Sequence, residues 1–322
     1  MARRIIFPEQ GQVALRDFEP PAPEAGQIRV KTRYSLISIG TETTILHAKY
    51  DPSSHFGRMF SFPQLKTGVQ AIATVEEVGH EVDQFAVGDT IFMRHAHASH
   101  WTLAADACSL VAPGLDLKAA CWCGLAKTAF RAAHAAPFAL GGEVLIIGAG
   151  PVGQMALRWA AAAGMRRIVV ADVSGKRLGF ARRGGATHIF EGAIEALLEE
   201  GGAPLIVDTT GNAAVFAEAL RLLAPLGKLV LLGDTGFPGR QSLTSDMMMK
   251  GLTVVATHDH RDRDGWTQRQ IDALFFDLLG SGRFDASGLI THEFTPEDCA
   301  EAYALASDNR EDAVGILFDW TR

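Results

Sequence analysis

The segment Gly148-Ala-Gly-Pro-Val-Gly153 constrains the fold of this chain more than any other. It directly follows Glu143–Ile147, a continuous apolar run typical of a parallel strand that is buried on both faces. Apolar residues then recur at helical spacing over 151–164. A glycine-rich turn between a buried strand and a helix predicts a place where the main chain binds the pyrophosphate of a dinucleotide.

Each residue of this turn has a physical reason to be there. Gly148 permits the tight turn, Gly150 lets the main chain approach a pyrophosphate, and Gly153 lets the helix pack closely on the strand. Pro151 suits a first helical position, because its missing N–H would be unpaired there. Together with Val152 these residues form the predicted cofactor-binding turn, at a helix N-terminus that attracts anions. The alternative is a turn that serves packing only.

Asp172 stands 24 residues after Gly148, at the end of the next apolar strand. A carboxylate at this place is expected to accept hydrogen bonds from ribose hydroxyls and to repel a 2′-phosphate. The sequence therefore predicts NAD as the cofactor, with NADP less favoured. Arg177 is also assigned to the cofactor site, and with Lys176 it could weaken that preference. The alternative is that Asp172 caps the next helix.

Buried strands alternate with helices over the middle of the chain. Further segments of this alternation are predicted strands at 168–171, 205–208, 228–232 and 253–256, and predicted helices at 176–183 and 213–223. This order is typical of a doubly wound parallel sheet. In the first 120 residues, short alternating stretches such as Gln27–Lys31 and Ala73–Val78 predict a β-barrel. Helical periodicity returns near Trp266, and 314–320 has the pattern of a final strand.

Composition excludes several classes of protein. The chain has 322 residues, a length that favours two domains, and 37 acidic against 30 basic residues, which argues against a nucleic-acid partner. No apolar run reaches the ~18 residues of a membrane helix, so a cytoplasmic protein with no membrane partner is expected. The four cysteines fit no redox or zinc-ribbon spacing and are expected to be free.

Several other motifs accompany the glycine turn. They are Ile39-Gly-Thr-Glu42, Gly68 to Gly79, Val87-Gly-Asp89 and Leu289-Ile-Thr-His-Glu-Phe294. With them the chain resembles the medium-chain dehydrogenase/reductase superfamily over nearly its whole length. The resemblance implies an α/β fold with a GroES-like β-barrel catalytic domain at 1–123, a doubly wound Rossmann domain at 124–262 and a C-terminal return to the catalytic domain at 263–322. It also implies a homodimer or a homotetramer.

The chain departs from the zinc alcohol dehydrogenases of that superfamily at the metal ligands. Ile39 stands where their first ligand, a cysteine, would be, and Gly68-Val69-Gln70 replaces their Gly-His-Glu. The third ligand position falls on Cys123. Ile and Val cannot coordinate a metal, and a catalytic zinc normally takes three protein ligands. No catalytic zinc is therefore expected, and the cysteine-rich zinc lobe of those enzymes is absent from the sequence.

Without zinc, another group must polarise the substrate oxygen and move its proton. The resemblance places Thr41 at the relay hydroxyl, Glu42 at the neighbouring acid and Lys127 beside the nicotinamide. These three are predicted catalytic residues, with Lys127 as an electrophile or a base. For Thr41 and Glu42 the alternative is a turn held by side-chain hydrogen bonds.

Three histidines lie close together, at 95, 97 and 100. On a strand, His95 and His97 would share one face and His100 would take the other. His97 is the fourth predicted catalytic residue, since an imidazole with a pKa of about 6.5 suits proton transfer. A metal site and a polar pocket wall are the alternatives. The charged segment 257–264 is predicted to be a solvated loop or to border the cleft.

Taken together, the residues and the resemblance predict an enzyme. It would be a zinc-independent dehydrogenase that transfers a hydride between NAD and a secondary alcohol, sugar- or polyol-like. One alternative is an NADPH-dependent quinone or enone reductase, against which Asp172 argues. The other is a protein that binds a nucleotide without turnover. The partner in each case is a small molecule.

Overall fold

The structure is a computed structural model that describes residues 1–200, 202–259 and 265–322, and all side chains among these except those of 198–200. Its first part contains β1 (Ala2–Phe7), β2 (Ala14–Phe18), β3 (Gln27–Leu36), α1 (Ile39–Leu46), α2 (His55–Met59), β4 (Leu65–Lys66), β5 (Ala71–Val78), β6 (Thr90–Met93), β7 (His100–Ala104), β8 (Cys108–Leu110), α3 (Leu117–Ala120) and α4 (Cys123–Ala135). The middle part contains β9 (Glu143–Ile147), α5 (Pro151–Ala162), β10 (Arg167–Asp172), α6 (Gly175–Arg183), β11 (His188–Glu191), β12 (Ala203–Asp208), α7 (Ala213–Leu222), β13 (Leu223–Leu231), α8 (Asp246–Met249) and β14 (Thr253–Ala256). The last part contains α9 (Gln268–Gly280), β15 (Ile290–Phe294), α10 (Cys299–Asp308) and β16 (Gly315–Asp319).

A parallel sheet forms the middle of the molecule. Its strand order is β11-β10-β9-β12-β13-β14, and each neighbouring pair is parallel. Val144 and Ile146 pack into one apolar cluster while Leu145 and Ile147 pack into another, so β9 is buried on both faces. The predicted doubly wound sheet is confirmed. The sequence reading missed β11, a four-residue strand at its edge.

The remaining strands form mainly antiparallel sheets, in which β15 and β16 are a parallel pair. The order in the larger sheet is β15-β16-β3-β5-β6-β8, with β7 also on β3, and a smaller sheet has the order β2-β1-β4. Strand β16 joins through the pairs Leu317–Leu36 and Asp319–Tyr34. The final strand predicted from 314–320 therefore returns to the N-terminal sheet, and the expected α/β fold class is confirmed.

Helix α4 lies between the two sheet systems, since it packs on α5 and on α9. It begins at Cys123, the expected end of the first domain. The expected boundary at 262 lies outside the described residues, so the division into three segments stays a prediction. None of the helices in the described ranges combines the length and the apolarity needed to cross a bilayer.

Candidate functional site

The glycine turn adopts the geometry that a close backbone approach requires. Gly148 has φ +96°, a conformation that side chains rarely allow. A Cβ on Gly153 would lie 1.9 Å from the Gly148 carbonyl oxygen, whereas one on Gly150 would meet no atom within 4 Å. Pro151 begins α5, as predicted. The turn therefore leaves open space in front of Gly150, where a pyrophosphate fits at the helix N-terminus.

Asp172 ends β10 beside this turn. Its Oδ2 accepts from the Ala149 N–H at 2.6 Å, and its Oδ1 accepts from the Ser174 N–H at 2.8 Å. The hydroxyl of Ser174, rather than Asp172, caps α6. The carboxylate is thus tied to the glycine turn, at the position from which the ribose hydroxyls of a dinucleotide would be reached.

The two cations that follow Asp172 are engaged by the C-terminal part of the chain. Lys176 forms an ion pair with Asp312, and the guanidinium of Arg177 donates to the carbonyl oxygen of Arg310. These contacts draw both side chains toward residues 310–312. The main-chain carbonyl of Arg177 remains close to the turn, because the Gln154 amide donates to it and to the Ala149 carbonyl.

Sequence reading missed a threonine that supports the turn from the next strand. The Thr209 hydroxyl donates to the carbonyl of Ile147 at 2.9 Å, and a Cβ on Gly148 would come within 2.5 Å of it. Its neighbour Asp208, at the end of β12, accepts from the N–H and the hydroxyl of Thr210. A Thr-Thr pair directly after a buried strand was the available sequence signal.

Glu42 and His97, two of the predicted catalytic residues, contact each other in the interior. Glu42 Oε2 lies 3.2 Å from His97 Nε2, and the two side chains are 1% and 0% exposed. The same carboxylate accepts from the Thr67 hydroxyl at 2.5 Å, from the Tyr303 hydroxyl and, through Oε1, from the Ser38 N–H at 2.7 Å. Burial raises the pKa of Glu42, but His97, Thr67 and Tyr303 lower it more, so the net pKa is below the usual value.

The other ring nitrogen of His97 is also used. Nδ1 lies 2.7 Å from the Ser35 hydroxyl, which in turn accepts from Trp320 Nε1 at 2.9 Å. The His97 ring packs edge-on against Phe318. Gly68 lies so close to His97 that a Cβ added to Gly68 would be 2.4 Å from the main-chain nitrogen of His97. The imidazole is therefore locked inside the barrel domain, with both nitrogens hydrogen-bonded.

Thr41 occupies the first turn of α1, the helix that also carries Glu42. Its side chain is half-buried, and its hydroxyl makes no hydrogen bond to the described part of the protein. The segment Ile39–Leu46, for which a hydrogen-bonded turn was the alternative, is instead a regular helix. Of the four predicted catalytic side chains, Thr41 keeps a hydroxyl available to a ligand.

Lys127, the last of the predicted catalytic residues to be described, lies on α4 in a buried cluster of charged side chains. Its Nζ donates to Gln268 Oε1 at 3.0 Å and lies 3.1 Å from Asp259 Oδ1. The second Asp259 oxygen lies 2.6 Å from Arg94 Nη2, and Arg94 also donates to the Gly124 carbonyl at 3.2 Å. Burial lowers the pKa of Lys127, against the opposing effect of Asp259. Sequence reading did not identify Arg94 or Asp259 as partners.

Asp259 belongs to the charged segment 257–264, of which residues 260–264 lie outside the described residues. The described end of that segment does border the site. Residue Asp259 is only 9% exposed, and the ring of His258 lies 5.3 Å from that of Phe56 in α2. At this end of the segment, the structure agrees better with the prediction that the segment borders the cleft than with the prediction of a solvated loop.

The residues at the metal position do not fit a catalytic zinc. Ile39 is buried in an apolar cluster, and Val69 has no donor atom. The Cys123 thiol donates to Asp272 Oδ1 at 3.3 Å, and burial together with Asp272 raises its pKa well above the usual value. A zinc ligand would have to be a thiolate. Within the described ranges, no three His, Cys, Asp or Glu side chains are grouped as metal ligands would be.

The three neighbouring histidines do not share a site, and the strand assumed for them is wrong. Residues 94–97 have no regular secondary structure, and β7 starts only at His100. His95 stacks on Trp101 with ring centroids 4.5 Å apart, and His100 lies 3.6 Å from Glu76. Because His97 points into the interior, the imidazoles diverge.

A loop from the barrel domain closes over the end of the parallel sheet. The Tyr50 hydroxyl donates to the carboxylate of Asp234, and the Asp51 N–H donates to the Gly236 carbonyl at 2.8 Å. Burial raises the pKa of Asp234. Rings of Phe56 and Phe60 stack beside Tyr50. Segment 43–66 gave no clear periodicity, and the structure places its middle at the boundary between the two sheet systems.

Comparison with known proteins agrees with this architecture. A family model described as zinc-binding dehydrogenase matches residues 151–268. L-threonine 3-dehydrogenase of Bacillus velezensis is 33% identical over 51% of this chain and 48% of its own length, so the match spans about half of that relative. L-threonine 3-dehydrogenase of Anaeromyxobacter sp. is 27% identical over 94% of both chains.

Solved structures extend the similarity over the whole fold. 2R,3R-butanediol dehydrogenase from Bacillus subtilis has a TM-score of 0.83 at 17% identity and covers 99% of both chains. Galactitol-1-phosphate dehydrogenase from Escherichia coli has a TM-score of 0.83 at 19% identity, over 98% of this chain and 99% of that one. The family model, these relatives and the shared fold support a place for the chain in the alcohol dehydrogenase-like medium-chain dehydrogenase/reductase superfamily.

Proposed function

We propose that this protein is a zinc-independent dehydrogenase that uses NAD to oxidise a secondary alcohol of a hydroxylated, sugar- or polyol-like compound. The observation that carries the proposal is the set of residues at and near the start of α4. Two of its three metal-ligand positions hold Ile39 and Val69, while a buried lysine, Lys127, lies one turn beyond the third. The chemistry that zinc performs in relatives is here assigned to side chains.

The residues around the glycine turn fit a dinucleotide. The open space at Gly150 would take the pyrophosphate against the N-terminus of α5, and Asp172 would accept from the ribose hydroxyls. Since Lys176 and Arg177 are drawn toward 310–312, they leave Asp172 without a nearby counter-charge for a 2′-phosphate. This supports NAD over NADP. The nicotinamide, when bound, supplies the acceptor for the hydrogen and the electron pair that leave the carbinol carbon.

Lys127 is the proposed proton acceptor in alcohol oxidation. Its neutral amine would take the hydroxyl proton of the substrate as the C–H bond breaks, and its ammonium would return that proton in the reverse direction. Burial favours the neutral amine, because a buried charge is costly. Asp259 and Gln268 hold the Nζ atom in place. Thr41, whose hydroxyl is unpaired within the described protein, would bind a substrate hydroxyl.

Glu42 and His97 are assigned a positioning role instead of a chemical one. Both are closed off from solvent and their polar atoms are engaged by Ser35, Thr67 and Tyr303. The carboxylate ties the helix that carries Thr41 to the barrel. This revises the role expected from the sequence, while keeping both residues at the site.

The substrate class is supported by the polar groups along the cleft. Thr41 and the Tyr50–Asp234 pair offer donors and acceptors at the domain boundary. The names of the relatives refer to threonine, butanediol and galactitol 1-phosphate, each of which carries hydroxyl groups. A hydroxylated small molecule therefore agrees with both the cleft and the relatives.

The test is an absorbance assay of nicotinamide reduction with chelator-treated protein. NAD or NADP is offered with sugars, polyols and simple secondary alcohols, and NADH or NADPH is offered with quinones. Turnover with NAD and a hydroxylated compound, in protein whose zinc content by mass spectrometry is far below one per chain, supports the proposal. Activity that chelation abolishes and zinc restores would overturn the zinc-independent mechanism. NADPH-dependent quinone reduction alone would overturn the substrate assignment.

A further inference from the structure

The side chain of Gln70 is fixed against the first turn of α4. It is completely buried, and its Oε1 accepts from the Leu125 N–H at 3.0 Å. A Cβ on Gly124 would lie only 2.5 Å from that oxygen, so the amide sits directly on the helix. Because only the oxygen can accept from an N–H, the orientation of the amide is determined, and its nitrogen is the free end.

The Gln70 Nε2 atom is buried and has no hydrogen-bond partner among the described residues. An unpaired buried donor costs about 1–3 kcal/mol, and such groups are normally paired with a ligand or an ordered water. An amide nitrogen presents two N–H donors and no acceptor. The partner that this side chain lacks is therefore an acceptor atom.

Three neighbouring polar side chains at the start of α4 are already engaged. The Cys123 thiol donates to Asp272, Arg94 donates to the Gly124 carbonyl, and Lys127 is held by Asp259 and Gln268. Gln70 also adjoins Val69, one of the former ligand positions. The unpaired amide thus lies against the turn of α4 that leads to Lys127, the proposed acceptor of the substrate proton.

We propose that the Gln70 amide donates a hydrogen bond to the substrate oxygen that changes between hydroxyl and carbonyl. This inference rests on the proposed function. During oxidation the C–H hydrogen leaves with its electron pair to the nicotinamide, and the O–H proton goes to Lys127. Gln70 keeps both of its protons and stabilises the negative charge that develops on the oxygen.

The decisive variant is Gln70→Glu. It retains the oxygen that accepts from Leu125 N–H and replaces the NH2 donor by a second oxygen. We expect kcat to fall by ~10²–10³, the usual effect of removing one such donor, with NADH affinity unchanged. The ratio of variant to wild-type kcat should rise as the pH falls, since the introduced carboxyl regains a donor when protonated. A purely structural role would not produce that rise.

Trp122→Phe is the matched control. Trp122 Nε1 is another buried donor with no partner among the described residues, and its ring packs against Gly315 on the barrel side. This variant should leave kcat unchanged. Equal kcat for Gln70→Glu and wild type at every pH would overturn the proposal. A loss of NADH affinity that matches the loss of kcat would overturn it as well.

A second measurement does not depend on turnover. Acetone labelled with ¹³C at the carbonyl is added to NADH-loaded protein, and its C=O stretch is followed by isotope-edited infrared spectroscopy. A band at lower wavenumber than in water, present in wild type and absent from Gln70→Glu at neutral pH, supports the hydrogen bond. The same spectrum from both proteins overturns it and indicates a buried water at Nε2. If wild type turns over no compound but shows the shifted band, only the proposed function fails.

Discussion

Oε2 of Glu42 lies 3.2 Å from Nε2 of His97, although 55 residues separate them in the chain. The contact joins α1 to the loop before β7 in a region without solvent. Since the buried carboxylate also accepts from Ser38, Thr67 and Tyr303, four parts of the chain depend on its charge.

Replacing Glu42 by Gln should therefore destabilise the fold by about 3 kcal/mol, since it removes a buried carboxylate that accepts several charge-assisted hydrogen bonds. The pKa of Glu42 is lowered in the folded protein, so its contribution is present above about pH 4.5, the unperturbed value, and is lost as the pH falls through the folded-state pKa. Urea unfolding across pH should show the difference between wild type and variant shrinking below that pH. Glu301→Gln, an exposed change on α10, is the control. A pH-independent difference would contradict a stabilising role for the charge of Glu42.

Two glycines of the cofactor turn should respond differently to alanine. Gly153→Ala places a Cβ 1.9 Å from the Gly148 carbonyl oxygen, and we expect a loss of about 1–3 kcal/mol of stability. Gly150→Ala meets no protein atom within 4 Å, so the melting temperature should hold while the NADH dissociation constant rises on the order of tenfold. Thermal unfolding and NADH fluorescence measure the two effects. Unchanged NADH affinity in Gly150→Ala would exclude a pyrophosphate at this point.

The preference for NAD should depend on Asp172. Asp172→Asn removes the charge that repels a 2′-phosphate, and the ratio of NADP to NAD dissociation constants should fall on the order of tenfold, or about 1.4 kcal/mol. Lys176→Ala should leave this ratio unchanged, because Lys176 is paired with Asp312. Competition of both cofactors against bound NADH gives the ratio. If Lys176→Ala shifts it as much as Asp172→Asn, the assignment of the lysine to Asp312 is wrong.

Alcohol oxidation should accelerate with rising pH. Burial lowers the pKa of Lys127, and oxidation needs the neutral amine, so kcat increases as the pH passes upward through that pKa while ketone reduction declines. Lys127→Met should lower kcat by ~10²–10⁴ and flatten the profile. Lys118→Met, which removes a surface partner of Glu293, is the control. A rising profile that survives in Lys127→Met would assign the proton to another group.

The protein should self-associate through the edge of its parallel sheet. Strand β14 is the last strand of that sheet, and the preceding α8 exposes Met248 and Met249 to 89% and 83%. Unpaired strand edges and exposed apolar side chains are normally covered. We expect a dimer or a tetramer in sedimentation velocity, and a smaller species for the double variant Met248→Glu with Met249→Glu. A wild-type monomer at all concentrations would contradict this prediction.

The parallel sheet could be predicted from the sequence because its determinants are local. An apolar run of four residues, a glycine turn and a helical period follow each other within Glu143–Ala162, and each acts on its immediate neighbours. The same holds for Asp172, whose place at the end of β10 fixes its distance from the turn. The glycine motif and the strand and helix that flank it all lie in one continuous stretch of the chain.

The ion cluster around Lys127 could not be predicted in this way. Its partners Asp259 and Gln268 come from a segment more than 130 residues away, and Arg94 comes from the barrel. Only closure of α4 against both sheet systems brings them together. One part of this region had a signal in the sequence. Asp272 is a carboxylate within the apolar stripe of α9, and in the structure it is completely buried.

The segment with the three histidines shows why a prediction from strand alternation alone was wrong. Strand alternation was applied to 95–100, but the continuous strand begins only at His100, and before it Ala98 forms only an isolated bridge with Arg4. The His97 N–H donates to the Thr67 carbonyl instead of to a neighbouring strand. Contacts with Glu42 and Ser35, both distant in sequence, then fix the ring. The direction of the His97 side chain is therefore set by tertiary contacts and not by the alternation of residues along a strand.

The pairing of β16 with β3 has a consequence for how the protein is made. The parallel sheet uses strands from 143 to 256 only, so a nascent chain emerging from the ribosome can complete it as one continuous piece. The antiparallel sheet begins earlier but waits for β16, and the interior around Glu42 waits for Tyr303. The sheet that contains β3 is therefore completed only after all strands of the parallel sheet have been synthesised. Until β16 has been synthesised, the unfinished barrel exposes the apolar surface and the strand edge that α10 and β16 will cover, which makes that interval the point at which chaperones would engage this chain.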